Sequence, residues 1–197
     1  MPLLTVNGTE LYYELRGGGP PVLLIMGFTG DGGNFKTLAD KAIAQASDDQ
    51  LHAAIDPESN SIAIIVKHVG GNLRSRFTDF LTTDGEKPDR NRDTEFEMPE
   101  RASRDQLMKA WETGWAAALG AIEALKPEDL DRTVHIRGEA FLVVEALNRS
   151  LGHTAMHVGQ IVLLAKHLAG PQWKNLSVPK GKSQGFAGDY KSRGIAR

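Results

Sequence analysis

The 197 residues include no cysteine. Disulfides, thiolate nucleophiles and zinc-thiolate sites are therefore excluded, and any metal would have to be held by imidazole, carboxylate or carbonyl groups. A surplus of charge is also missing, with 23 Lys and Arg against 25 Asp and Glu. This balance provides no broad electrostatic footprint for nucleic acid or an anionic membrane, so neither is expected as a partner. No apolar run approaches the roughly 20 residues of a spanning helix, and the opening MPLLTVNGTE has neither the basic nor the apolar region of a leader peptide. The expectation is a soluble, cytoplasmic protein. Its 41% hydrophobic content is enough to bury one main core.

The chain changes character near residue 34. Residues 1–33 read as β structure: LLTV, a turn at Asn7-Gly8, the alternating ELYYEL, a GGGPP breaker, the apolar VLLIM and the glycine-rich GFTGDGG. This opening resembles the N-terminal strands of an α/β-hydrolase, in which Gly27, Phe28 and Thr29 would occupy the loop that helps form an oxyanion hole. Such a loop stabilises charge only when a nucleophile creates it, and the fold supplies that nucleophile on a G-x-S-x-G elbow. The serines at 47, 59, 61, 75, 103, 150, 177, 183 and 192 all lack the flanking glycine pair. A serine hydrolase is accordingly the weakest functional reading, and residues 1–33 are expected to form a hairpin or strand segment distinct from a helical domain at 34–197.

From Phe35 onward the apolar residues recur at helical spacing. Phe35, Leu38, Ala39, Ala42, Ile43 and Ala46 make one stripe over 35–46, and a short capped turn, SDDQLHAAI, follows. Ser61 opens a second helix predicted to continue to Leu81, before a long polar loop over about 83–102. Ser103 and Gln106 have the spacing of a capping box for a third helix, which presents Leu107, Trp111, Trp115, Leu119 and Ile122 at bundle spacing until Pro127 ends it. TVHIRGEAF alternates around Arg137-Gly138 as a small hairpin. A last helix is predicted from about Leu142 to Ala169, closing at Gly170-Pro171, with a tail from Gln172 that wraps the surface or frays. The fold class is mainly α: a four-helix bundle with a small β-hairpin before its last helix and an N-terminal β segment.

His153 and His157 stand four apart in GHTAMHVGQ, within the last of these helices. Positions i and i+4 share a helix face one turn apart, so two imidazoles can converge on one ion. On spacing alone, a ligand pair and two separately hydrogen-bonded core histidines are equally good readings. The second helix adds His68 in IAIIVKHVGGN, another polar ring among apolar residues, and the Gly70-Gly71 pair leaves room beside it for a helix or a ligand. Three neutral imidazoles facing a bundle interior would leave coordination positions open, as in a reactive site. His52 in a capped turn, His135 in a hairpin and His167 at a helix end fit less well. An H-E-x-x-H protease is excluded by Thr154, and E-x-x-H di-iron sites by Ile65, Ser150 and Thr154 three residues before the histidines.

Three stretches, SNSIAIIVKHVGGNLRSRFTDFLTTDGEKPDRNRDTEF, TVHIRGEAFLVVEALNRSLGHTAMHVGQIVLLAKHLAG and WKNLSVPKGKSQ, resemble the DinB-like, or YfiT-like, metal-dependent hydrolase superfamily, in an uncharacterised bacterial branch. The resemblance implies a four-helix bundle, frequent homodimers and a three-histidine centre at His68, His153 and His157. The expected cofactor is a divalent transition metal, nickel or zinc first, with manganese or iron as further candidates. It also implies a small-molecule substrate, with a low-molecular-weight thiol among the candidates, and a hydrolase or thiol S-transferase activity. A non-catalytic metal-binding or structural bundle is the alternative. Near the centre, Asn72 and Gln160 are polar neighbours expected to bond backbone or water, and Arg74, Arg76, Arg90, Arg92, Asp79 and Asp93 are expected to fasten the long loop rather than grip an anion.

Overall fold

The computed structural model describes residues 3–6, 9–12, 34–98, 100–177 and 179–182. Strands β1 (Leu3–Val6) and β2 (Thr9–Tyr12) pair antiparallel, with Val6 opposite Thr9 across the Asn7-Gly8 position. The remainder of the N-terminal segment, including Gly27, Phe28 and Thr29, lies outside the described residues. The architecture is mainly helical, as the periodicity predicts. The principal helices are α1 (Asn34–Ile43), α3 (Ile62–Phe77), α5 (Arg104–Glu123) and α6 (Val143–Ala169), with short turns α2 (Asp48–His52) and α4 (Arg92–Glu95) between them. Strands β3 (Thr133–Ile136) and β4 (Glu139–Leu142) form an antiparallel hairpin that runs directly into α6.

The predicted caps are the ones that form. Ser103 and Gln106 bond reciprocally at the start of α5, Ser47 and Gln50 do the same for α2, and the Ser61 side chain accepts from the Ile64 N–H at the start of α3. Each arrangement satisfies amide donors that have no partner within the helix. Arg137 and Gly138 turn the hairpin with φ of 57° and 77°, the left-handed pair that a two-residue connection of right-twisted strands requires.

Structure and periodicity differ in detail. Helix α3 stops at Phe77 rather than Leu81, because Thr78 is extended and Asp79 takes a φ of 49°. That reversal folds the Phe80 ring back to 5.1 Å from Phe77. On α5, Leu107, Trp111, Trp115 and Ala118 are buried, but Ile122 is 44% exposed, since it borders a shallow apolar groove with Phe35 and Leu147. The start of the tail also docks: Trp173 and Leu176 pack on the core, and Lys174 exchanges two hydrogen bonds with the Gln45 side chain.

Helices α3 and α5 cross at glycines. A Cβ on Gly70 would meet the Ala110 carbonyl oxygen at 2.7 Å, and one on Gly114 would fall on the carbonyl oxygen and Cα of Gly70. Both obstacles are backbone, which cannot rotate aside. Gly114→Ala is therefore expected to separate the helices and cost about 1–3 kcal/mol, measurable by denaturant unfolding. Gly120→Ala on the same helix, where nothing lies within 4 Å, is the control and is expected to be neutral or stabilising.

Candidate metal centre

Helices α3 and α6 bring the three histidines together. The rings of His68 and His153 lie 5.1 Å apart between centroids, those of His68 and His157 4.9 Å, and those of His153 and His157 4.6 Å. One ligand atom from each lies within 4.8 Å of the others. His68 and His157 are buried and His153 is half-buried. Of the remaining histidines, His52 Nε2 bonds the Ala102 carbonyl, His167 is exposed, and His135 is an exposed hairpin residue that lines the cavity beside the centre but does not join the cluster.

The hydrogen bonds around the rings determine which nitrogens are free. His68 Nδ1 is 2.8 Å from Glu95 Oε2. Burial works to raise the Glu95 pKa, but hydrogen bonds from Arg90 and His68 outweigh it and hold it at about 2. An ionised carboxylate only accepts, so His68 Nδ1 carries the hydrogen, and in the metal-binding neutral ring Nε2 is the nitrogen with the lone pair. His157 Nδ1 likewise lies 2.7 Å from Gln160 Oε1 and donates to it, leaving Nε2 as its free ring nitrogen. Gln160 thus bonds a histidine, where the sequence suggested backbone or water.

His153 is the member that protein groups alone do not satisfy. Its Nε2 lies 3.1 Å from His68 Nε2, and its buried Nδ1 has no hydrogen-bond partner among the described residues. If Nδ1 holds the hydrogen, two lone pairs face each other at 3.1 Å, and that buried donor also lacks an acceptor. If Nε2 holds it, Nδ1 is a buried acceptor without a donor, at a cost of about 1–3 kcal/mol. A cation among the three rings removes the first conflict, and 3.1 Å is close to the roughly 3.3 Å that separates nitrogens bound tetrahedrally to one ion at 2.0–2.1 Å. Burial first, then the neighbouring His157, His68, Arg90 and Arg76, push the His153 pKa down to about 4; burial also lowers that of His157. Both are therefore neutral near pH 7, the form in which imidazole binds metal. The residues present fit a divalent ion.

Glu95 is a buried neighbour of His68 that the sequence reading does not single out. It ends α4, 27 positions from His68, and its carboxylate receives Arg90 Nε at 2.8 Å and Nη2 at 2.9 Å. The side chains of Arg90 and Glu95 are 2% and 8% exposed, so the pair is buried. Gly71 makes the space, since a Cβ there would meet Glu95 Oε1 at 2.5 Å. The glycine pair therefore has two uses, Gly70 for a helix and Gly71 for a carboxylate. Lys67 anchors α4 by donating to the carbonyls of Thr94 and Glu97 at 2.6 and 2.8 Å, and the Phe96 ring stacks 4.5 Å from His68. A buried acid that orients a histidine in this way also raises its basicity as a ligand.

The long loop is fastened by part of the expected set, with Asp89 and Glu86 as the acidic partners of Arg74 and Arg76. Ser75 bonds both the Gly85 carbonyl and the Lys87 N–H. Asp84 accepts the N–H groups of Arg137 and Gly138, tying the loop to the hairpin. Asp79 and Asp93 form no ion pair among the described residues. Between loop, hairpin and α6 lies a cavity of about 370 Å³, with His68, His153 and Asn72 in its wall.

No helix among the described residues is long and apolar enough to cross a membrane. No curated protein and no solved structure matches the chain. The model of one family, described as "Protein of unknown function (DUF1572)", matches residues 31–182, which include all three histidines and Glu95. The chain belongs to that family, a DinB-like one.

Proposed function

We propose that this chain is a divalent-metal-dependent enzyme of the hydrolase or thiol-dependent transferase type, acting on a small molecule, with His68, His153 and His157 as metal ligands. The observation that carries the reading is the arrangement of the rings: two Nδ1 atoms are tied to oxygens, His68 Nε2 faces His153 Nε2 at 3.1 Å, and two of the rings open onto the cavity. An all-imidazole donor set suits nickel or zinc. A bound ion with open positions would supply either an acidified water or an anchor for a substrate thiolate. A purely structural ion would favour a closed site, whereas here the cavity reaches His68 and His153.

The protein's own groups have separable tasks in this scheme. Glu95 and Gln160 hold the rings of His68 and His157 through Nδ1, so that the ligands are oriented before the ion arrives. Arg90 keeps Glu95 ionised. Asn72, buried and one turn after His68, lines the cavity and is placed to orient a substrate.

Elemental analysis of tag-free protein is expected to find about one nickel or zinc per chain, and less in His68→Ala, His153→Ala and His157→Ala. Adding the ion to metal-free protein at about 100 times its Kd should stabilise the fold by about 2.7 kcal/mol, a Tm rise of about 5–10 °C. Metal-free wild type with no such rise would end this reading.

A further inference from the structure

Among the described residues, the cavity beside the histidines is lined by five arginines, Arg76, Arg90, Arg92, Arg137 and Arg149, and by no carboxylate. Fastening accounts for three of them. Arg76, Arg90 and Arg137 all bond Glu86, and Arg90 also holds Glu95. Arg92 and Arg149 form no ion pair among the described residues. Glu145, one turn before Arg149, accepts instead from the Leu142 N–H at 2.8 Å. Both free guanidiniums are positioned over aromatic rings, Arg92 5.3 Å from the Phe96 centroid and Arg149 5.8 Å from that of Phe141. Such a contact orients a guanidinium without neutralising its charge.

Their placement relates them to the centre. Phe96 touches both groups, its ring centroid 5.3 Å from the Arg92 guanidinium and 4.5 Å from the His68 ring. Arg149 precedes His153 by four residues and His157 by eight, so it continues the histidine face of α6, and it lines the cavity with His153. Five guanidiniums bonded to only two carboxylates leave a surplus of positive charge at a concave wall, where low-dielectric surroundings strengthen attraction for an anion. Planar guanidinium forks match the two oxygens of a carboxylate or a phosphate.

Resting on the metal-enzyme reading, we infer that the substrate carries an oxyanion, a carboxylate or a phosphate, which Arg92 and Arg149 grip in the cavity while its reacting group lies toward His68 and His153. On this inference Arg92 grips an anion rather than fastening the loop.

The test titrates succinate and inorganic phosphate separately into the full chain, with and without metal, by calorimetry. Wild type should bind one of the two saturably, the better one identifying the oxyanion. Arg92→Gln and Arg149→Gln should each weaken it by about tenfold or more. Arg74→Gln, which removes a guanidinium that pairs with Asp89 and does not line the cavity, should bind as wild type. Metal content of the double variant should be unchanged. The inference is overturned if wild type binds neither anion at millimolar concentration, or if the double variant binds as well as wild type. Protein that takes up no metal yet binds anion through these two arginines would overturn the metal reading and uphold the anion site.

Discussion

Glu95→Ala is expected to lower folding stability by about 3–5 kcal/mol, because it leaves the Arg90 guanidinium buried with only a 3.5 Å contact to Glu86. It should also weaken metal binding by about 10–100-fold, since His68 loses the group that fixes its Nδ1 hydrogen. The two effects separate in a double variant. Adding Arg90→Met removes the stranded charge and should recover most of the stability, as apolar replacement of buried ion pairs commonly does. It should not recover the metal affinity. If stability and affinity return together, Glu95 acts only through packing, and its role in orienting His68 is wrong.

The pH dependence of the same variant has a definite sign. Glu95 has its pKa depressed from the ordinary 4.5 to about 2 on folding. Its contribution is fully present above pH 4.5 and is lost as the pH falls toward 2. The stability gap between wild type and Glu95→Ala should therefore be constant above pH 4.5 and narrow below it. Urea unfolding at a series of pH values measures this, and a gap that narrows already between pH 7 and 5 would contradict it.

Trp111→Ala should be comparably damaging, at about 3–5 kcal/mol. The indole is fully buried, meets Trp115 at 5.6 Å between ring centroids, and donates from Nε1 to Asp40 Oδ1 at 2.8 Å. Asp40 in turn accepts from Lys36, which also pairs with Glu112, so one residue links α5 to α1 through both packing and charge. Trp111→Phe keeps most of the ring volume and loses the indole donor, so about 1–2 kcal/mol is expected. Equal losses in the two variants, by denaturant unfolding, would show that the hydrogen bond rather than the packing carries the effect.

How much of the centre was legible can be judged from particular residues. The pair His153 and His157 shows in the sequence because four residues make one helical turn, and His68 because a polar ring interrupts an apolar run. Arg149 shares that spacing, four residues before His153, but a charged residue at a helix surface is ordinarily solvated and carries no such signal. Glu95 had none: a glutamate in a charged loop looks solvated until the loop is seen lying across Gly71.

The sequence by itself determined what is set within a turn or two of chain: the helices with their serine caps, the Arg137-Gly138 hairpin, the two-histidine face of α6, and the absence of any thiolate ligand. These follow from local periodicity and from hydrogen bonds that close over three or four residues. Tertiary structure alone decided which nitrogens of His68 and His157 are tied to oxygens, that Glu95 and Arg90 are buried together beside His68, and that Arg92 and Arg149 line one cavity. Those outcomes depend on how one helix is rotated and translated against another, a quantity to which residues far apart in the chain contribute jointly and which no short stretch encodes.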